Sequence, residues 1–259
     1  VNLKEKLRRG VPTIGTWLTL AHPALAEMAA RAGFDWVAVD LEHSSITLRE
    51  CEDLIRVLDL AGATPLVRLT ANDPDLIKRV MDSGACGVIV PSVSTPEEAE
   101  LAVEAVHYPP RGRRGVGLAR AHGYGADFSG YLKRLEREVV VVAMIENAQG
   151  VENVELILAV PGVDAYFIGP YDLSASLGVA GKTSHRKVKD SIARIRAAGR
   201  RARKPGGLHV VEPDIAALHR CLKQGFGFIA YSLETRIYDA AVRSALRGLR
   251  QPRRGTAPR

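Results

Sequence analysis

The stretch Phe167-Ile-Gly-Pro-Tyr-Asp-Leu-Ser174 decides how this chain is read. The apolar run leading into it, Val163 to Ile168, reads as a buried strand. Gly169-Pro170 ends that strand, because proline cannot donate to a ladder in a sheet interior. Asp172 follows at once, and then a short helical turn that Gly178 closes. A carboxylate at the carboxyl end of a buried strand, beside a helix N-terminus, can hold a cation while nearby N–H groups hold an anion. An aspartate in such a place can also do no more than cap the turn. A second strand of the same design, Val139 to Ile145, ends in Glu146. Two such carboxylates on adjacent strands can share one metal ion.

Outward from this pair, short apolar runs alternate with amphipathic segments along the whole chain, the pattern of a parallel sheet with crossover helices. Besides the two strands above, the runs are Thr13–Leu18, Asp35–Leu41, Thr64–Leu69, Gly87–Pro91, Gly207–Val211 and Phe226–Tyr231. Helix starts carry caps and early prolines, as in Asp73-Pro-Asp and Thr95-Pro-Glu-Glu. Eight βα units argue for a closed (β/α)8 TIM barrel of the α/β class, for which about 250 residues is the usual size. One such domain is expected over residues 1–250, with an N-terminal helix ahead of the first strand and a basic, disordered tail at 251–259. One connection is out of proportion. Between the fourth and fifth strands a long loop runs from Tyr108-Pro-Pro through Arg114 and Arg120 to Gly130. A loop of that length is usually a lid or an interface element.

Composition narrows the function. The 259 residues are 46% hydrophobic, enough for one large core, and no apolar run reaches the roughly 18 residues a membrane span needs. The net charge of +7 gathers late, in Arg186 to Lys204 and beyond Arg243, but no aromatic residues interleave with it as single-strand nucleic-acid binding requires. No nucleic-acid or membrane partner is therefore expected. A positive field for small anionic substrates is the simpler reading. Cys51, Cys86 and Cys221 form no C-x-x-C pair and fit a reducing cytoplasm.

In such a barrel the strand ends that carry chemistry converge on one face. Here they bring Trp17, Asp40-Leu-Glu-His43, Arg68, Glu146 and Asp172. Two carboxylates without thiolates or paired imidazoles suit a hard divalent ion, Mg²⁺, Mn²⁺ or Co²⁺, with positions left for substrate oxygens. Such an ion could chelate a 2-oxo acid and polarise its keto group. His43 is then the natural base, and Arg68 can stabilise charge growing on an enolate oxygen, an effect of roughly 3 kcal/mol for one well-aimed donor. His43 could instead be a loop histidine, and Arg68 could be an ion-pair partner of Asp40 or Glu42. No strand contains the lysine that a Schiff-base aldolase needs.

The pieces Gly33-Phe-Asp-Trp-Val, Asp40-Leu-Glu-His43, Pro65-Leu-Val-Arg68, Leu76 to Ala85, Tyr108-Pro-Pro, Arg114-Gly-Val-Gly117, Ile145-Glu146 and Phe167 to Gly178 stand in the order and spacing of the HpcH/HpaI aldolase family, which the chain resembles over roughly residues 3–245. The resemblance implies a metal-dependent class II aldolase, a lyase that reversibly cleaves a 4-hydroxy-2-oxo acid to pyruvate and an aldehyde. It implies His43 as proton acceptor, Arg68 as transition-state stabiliser, and Glu146 and Asp172 as ligands of the divalent ion. It further implies that Asp82 raises the basicity of the histidine. Asp82 falls late in its helix, towards the opposite face of the barrel, so it is expected to serve His43 of a neighbouring copy in a homo-oligomer, a trimer or hexamer. Trp17, Tyr171 and Met144 are expected to line the substrate pocket; Met144 stands where relatives often carry a glutamine. Rival readings are a CoA-thioester lyase of the citrate lyase β-like group and a non-catalytic oxo-acid-binding protein on the same fold.

Overall fold

Eight parallel strands close on themselves in sequence order in the computed structural model, which describes residues 1–250. They are β1 (Thr13–Leu18), β2 (Trp36–Asp40), β3 (Thr64–Arg68), β4 (Gly87–Val90), β5 (Val140–Ile145), β6 (Ala165–Ile168), β7 (Gly206–Val210) and β8 (Phe228–Leu233). The helices are α1 (Leu3–Arg8), α2 (Pro23–Arg31), α3 (Leu48–Leu60), α4 (Pro74–Asp82), α5 (Pro96–Val106), α6 (Phe128–Glu138), α7 (Ala148–Ala159), α8 (Pro170–Ser176), α9 (Arg186–Ala202), α10 (Ile215–Lys223) and α11 (Glu234–Arg250). This is the expected (β/α)8 barrel. Local signals set the helix starts: Thr47 with Glu50, and Thr95 with Glu98, cap α3 and α5 reciprocally. The tail expected at 251–259 lies outside the described residues.

Alternation along the strands divides the core in two. Outward-facing residues such as Val37, Val39, Val67 and Val141 pack beneath the helices, while Trp17, Trp36, Met144, Phe167 and Phe228 fill the barrel. Gly15 makes the inner packing possible. A Cβ on it would lie 2.0 Å from the Trp36 ring, which stacks on Phe228 with centroids 4.3 Å apart. Below these rings α1 closes the barrel floor. Leu3 and Leu7 join the inner cluster, and the fully buried Lys4 pairs with Asp164 at 3.1 Å and donates to the Val139 carbonyl at 2.6 Å. The functional groups must therefore use the other end.

The long connection differs from expectation. It is no simple loop, since a 3-10 turn (Arg120–Gly125) lies within it and α6 starts before it ends, and Tyr108, Arg114 and His122 are buried. Arg114 is buried and Arg120 half-buried, each paired within the chain. Arg114 pairs with Asp82 at 2.5 Å, donates to the Tyr131 hydroxyl at 2.8 Å and lies 4.7 Å over the Tyr108 ring. Arg120 reaches Asp59 at 2.5 Å and the Ser83 carbonyl at 3.2 Å. The last helix, α11, rests chiefly on β8. An apolar groove of about 430 Å³ runs between it and α2, lined by Leu25, Met28, Phe34, Ile237 and Tyr238. No helix among the described residues is long and apolar enough to cross a membrane.

Candidate active site

β2 and β3 end side by side, with Asp40 in register with Arg68. Asp40 is 1% exposed, and its carboxylate is saturated. It accepts from the backbone N–H groups of Glu42 (3.0 Å) and His43 (3.2 Å) and from both Nε (2.8 Å) and Nη2 of Arg68. One buried carboxylate thus sets both the turn that presents His43 and the plane of the guanidinium. Arg68 lies flat, its Cζ 4.4 Å above the Trp17 ring, and its Nε is 3.6 Å from Glu42. The ion pairs considered from the sequence both form, yet Nη1 keeps no partner among the described residues and stays available to a substrate oxygen. Among the described residues His43 is held by a hydrogen bond from its backbone alone. Its side chain is 61% exposed at the mouth, with Nε2 3.8 Å from Glu42.

On the far side of the mouth Glu146 continues β5 and is 4% exposed. Its Oε1 accepts from Ser92, from the N–H at 2.7 Å and from Oγ at 3.1 Å. Ser92 holds this geometry at φ 52°, a left-handed conformation rare outside glycine. Oε2 takes no donor among the described residues and lies against Gly169, where a Cβ would come within 2.3 Å of it. Only glycine admits the carboxylate here. Burial pushes the Glu146 carboxyl above the usual range, the charges of Glu42 and Asp172 push it further, and the Ser92 bonds oppose them. Glu42 is also raised, by burial first, with Arg68 opposing and Asp40 and Asp172 adding. Glu42, Glu146 and Asp172 therefore share one region. Asp172 is exposed in the first turn of α8, whose N-cap is Gly169, so it is free of the capping role.

The remaining expected residues divide. Trp17 is 2% exposed inside the barrel, its Nε1 without a partner among the described residues. Met144 is buried in the same inner cluster, two residues before Glu146, while Tyr171 is 63% exposed on the rim. Asp82 does not join them. Its carboxylate pairs with Arg114, and it makes no contact with His43 of its own chain among the described residues. No strand among the described residues carries a lysine.

Sequence reasoning missed three participants. Asp40 was weighed only as a possible partner of Arg68, and Ser92 was passed over because nothing in Pro91-Ser-Val-Ser marks a left-handed serine. His209 sits inside β7, its ring centroid 5.9 Å from that of Trp17, and burial pushes its imidazole down to about 4. Alternation from Gly207 would have pointed it inward.

Polar groups gathered on the carboxyl-end face of a closed parallel barrel stand where (β/α)8 enzymes build their active sites. The family model described as HpcH/HpaI aldolase/citrate lyase matches residues 13–240. The chain is 37% identical over 245 residues to 2-keto-3-deoxy-L-rhamnonate aldolase of Escherichia coli O9:H4 (strain HS), covering 92% of this chain and 89% of that one. It is 39% identical over 246 residues to hydroxypyruvate/pyruvate aldolase of Pseudomonas aeruginosa, with 93% and 89% covered. A crystal structure of an HpcH/HpaI aldolase/citrate lyase family protein from Burkholderia cenocepacia J2315 superposes with a TM-score of 0.91 at 36% identity, over 96% of this chain and 99% of that one. The protein belongs to the HpcH/HpaI aldolase/citrate lyase family, and with it to the carbon–carbon lyases.

Proposed function

We propose that this chain is a metal-dependent class II aldolase that reversibly cleaves a 4-hydroxy-2-oxo acid to pyruvate, or a near analogue, and an aldehyde. The observation that carries the reading is Glu146, a buried carboxylate with one oxygen unpartnered, set against Gly169 and close to Asp172 and Glu42. Like charges held together in a poorly solvated place are unfavourable alone and favourable around a cation. The donors are all oxygen, which fits Mg²⁺, Mn²⁺ or Co²⁺. Among the described residues no three His, Cys, Asp or Glu side chains gather closely enough to hold an ion by themselves. Glu146 and Asp172 would therefore hold it as a pair and leave other positions to water and substrate.

When bound, the ion would supply Lewis-acid polarisation of the substrate's keto group. The chain's own residues supply the rest. In the addition direction His43, exposed at the mouth, takes a proton from the methyl carbon of the 2-oxo acid. The enolate carbon then bonds to the aldehyde carbon, and the resulting alkoxide takes up a proton. In cleavage the C4 hydroxyl gives up its proton as the C3–C4 bond breaks, and His43 returns a proton to the enolate carbon. Arg68, fixed by Asp40 and Trp17, directs Nη1 at the oxygen on which charge develops. Trp17, Met144 and Tyr171 wall the pocket. The test is pyruvate release from a panel of 4-hydroxy-2-oxo acids, before and after EDTA, with Mg²⁺, Mn²⁺ or Co²⁺ restored singly. Turnover that survives EDTA would overturn the metal, and binding without cleavage would overturn the enzyme.

The proposal extends to a cytoplasmic homo-oligomer, a trimer or hexamer, in which Asp82 supports His43 of a neighbouring copy. Its support is that Asp82 pairs with Arg114 and makes no contact with His43 of its own chain among the described residues, together with the apolar groove beside α11. Mixed oligomers of His43→Ala and Asp82→Ala chains should regain activity that neither has alone. No recovery in such mixtures would refute the shared site.

A further inference from the structure

We propose that His209 is a specificity-determining residue whose Nδ1 accepts a hydrogen bond from a hydroxyl group carried by one of the two reactants. The inference rests on the aldolase reading and says which substrates that site prefers. His209 is in register with Ala230, a member of the inner cluster, so its side chain points into the barrel. Its Nε2 lies 3.2 Å from the Ser232 carbonyl oxygen. A carbonyl can only accept, so Nε2 carries the hydrogen and the neutral ring presents Nδ1 as a bare lone pair. Burial keeps the ring neutral near physiological pH, and the nearby Arg68 charge acts in the same direction. Nδ1 has no partner among the described residues and is not sealed from solvent.

The ring is also fixed in place. Ser232 adopts φ 52°, its Oγ donates to the Val211 carbonyl at 2.9 Å, and its own carbonyl accepts from Thr16 Oγ1 at 3.2 Å as well. Trp17 packs against the imidazole from the other side, beneath Arg68. The result is a rigid, uncharged acceptor in a mouth whose other strong acceptors are carboxylates. A methyl group placed against it would strip water from the lone pair without replacing the bond. A second carboxylate would offer no proton. A hydroxyl donates to it directly, so the favoured reactants carry a hydroxyl beside the reacting carbonyl. This hydroxyl could belong to a hydroxylated 2-oxo acid or to a 2-hydroxyaldehyde.

The experiment compares wild type, His209→Leu and His209→Asn in aldol addition with two matched pairs: hydroxypyruvate against pyruvate, and glycolaldehyde against acetaldehyde. In His209→Leu the ratio of kcat/KM for the hydroxylated member to that for the deoxy member should fall by about tenfold or more in one pair, which identifies the source of the hydroxyl. His209→Asn, which keeps an amide oxygen, should recover part of the ratio. Ratios unchanged in both pairs would overturn the inference and leave His209 a packing residue. If wild type turns over neither pair, the aldolase reading fails separately. Fluorescence titration then decides His209 alone, because Trp17 and Trp36 are the only tryptophans and both lie inside the barrel. Affinity for the hydroxylated member should drop about tenfold in His209→Leu, and equal affinities would overturn the proposal.

Discussion

Replacing Glu146 with glutamine removes one charge from a group of three that repel one another, and the two consequences have opposite signs. In the metal-free protein the fold should gain. Glutamine Oε1 can keep both Ser92 bonds, now made at 2.7 and 3.1 Å, while the new amide takes the place of the oxygen lying against Gly169 and can donate towards Asp172 or Glu42. Relief of an unpaired buried charge by an isosteric neutral group is worth about 1 kcal/mol, or roughly 2–4 °C in Tm for a chain of this size. The sign with pH follows from the raised carboxyl. Below the ordinary glutamate range Glu146 is protonated in both folded and unfolded chains, so the variant has no advantage. The advantage grows as pH rises through that range and is complete above the raised folded value. With Mn²⁺ at about a hundred times its Kd, wild type should gain about 2.7 kcal/mol and the variant far less, alongside loss of pyruvate release. Thermal melts at several pH values, with and without Mn²⁺, provide the assay. A variant less stable than wild type without metal, or equally stabilised by it, would refute this account of Glu146.

Arg68→Lys keeps a charge but loses the planar fork that meets Asp40 and the flat contact with Trp17, so kcat/KM should fall roughly a hundredfold or more while the melting temperature changes little. Steady-state kinetics decide this, and wild-type turnover would remove Arg68 from the mechanism. Lys4→Ala strands Asp164 beneath the barrel and should cost about 3–5 kcal/mol. Lys4→Met, which fills the same space, would still strand Asp164; Lys4→Met combined with Asp164→Asn should lose less than Lys4→Ala in urea melts, and equal losses would show that the buried pair is not what holds α1.

The barrel and its strand ends were legible because alternation and Gly/Pro breaks are local signals. The Asp40–Arg68 bond was not, since two strand ends that are 28 residues apart meet only through the register of β2 and β3. α6 was hidden by its own start. Phe128, Tyr131 and Leu135 recur at helical spacing and Asp127 caps the helix by accepting from Gly130 N at 3.2 Å, but a glycine within the first turn reads as loop. Arg114 shows the limit of charge as a signal: an arginine in a long connection suggests the surface, whereas two tyrosine rings and Asp82 take it inside.

The stopper that α1 forms, with Leu3 and Leu7 under the stacked Trp36 and Phe228, turns the barrel into a blind alley. In the proposed aldolase both reactants would share one doorway, and the one seated against Trp17 would be expected to enter first, an order that product-inhibition kinetics would reveal.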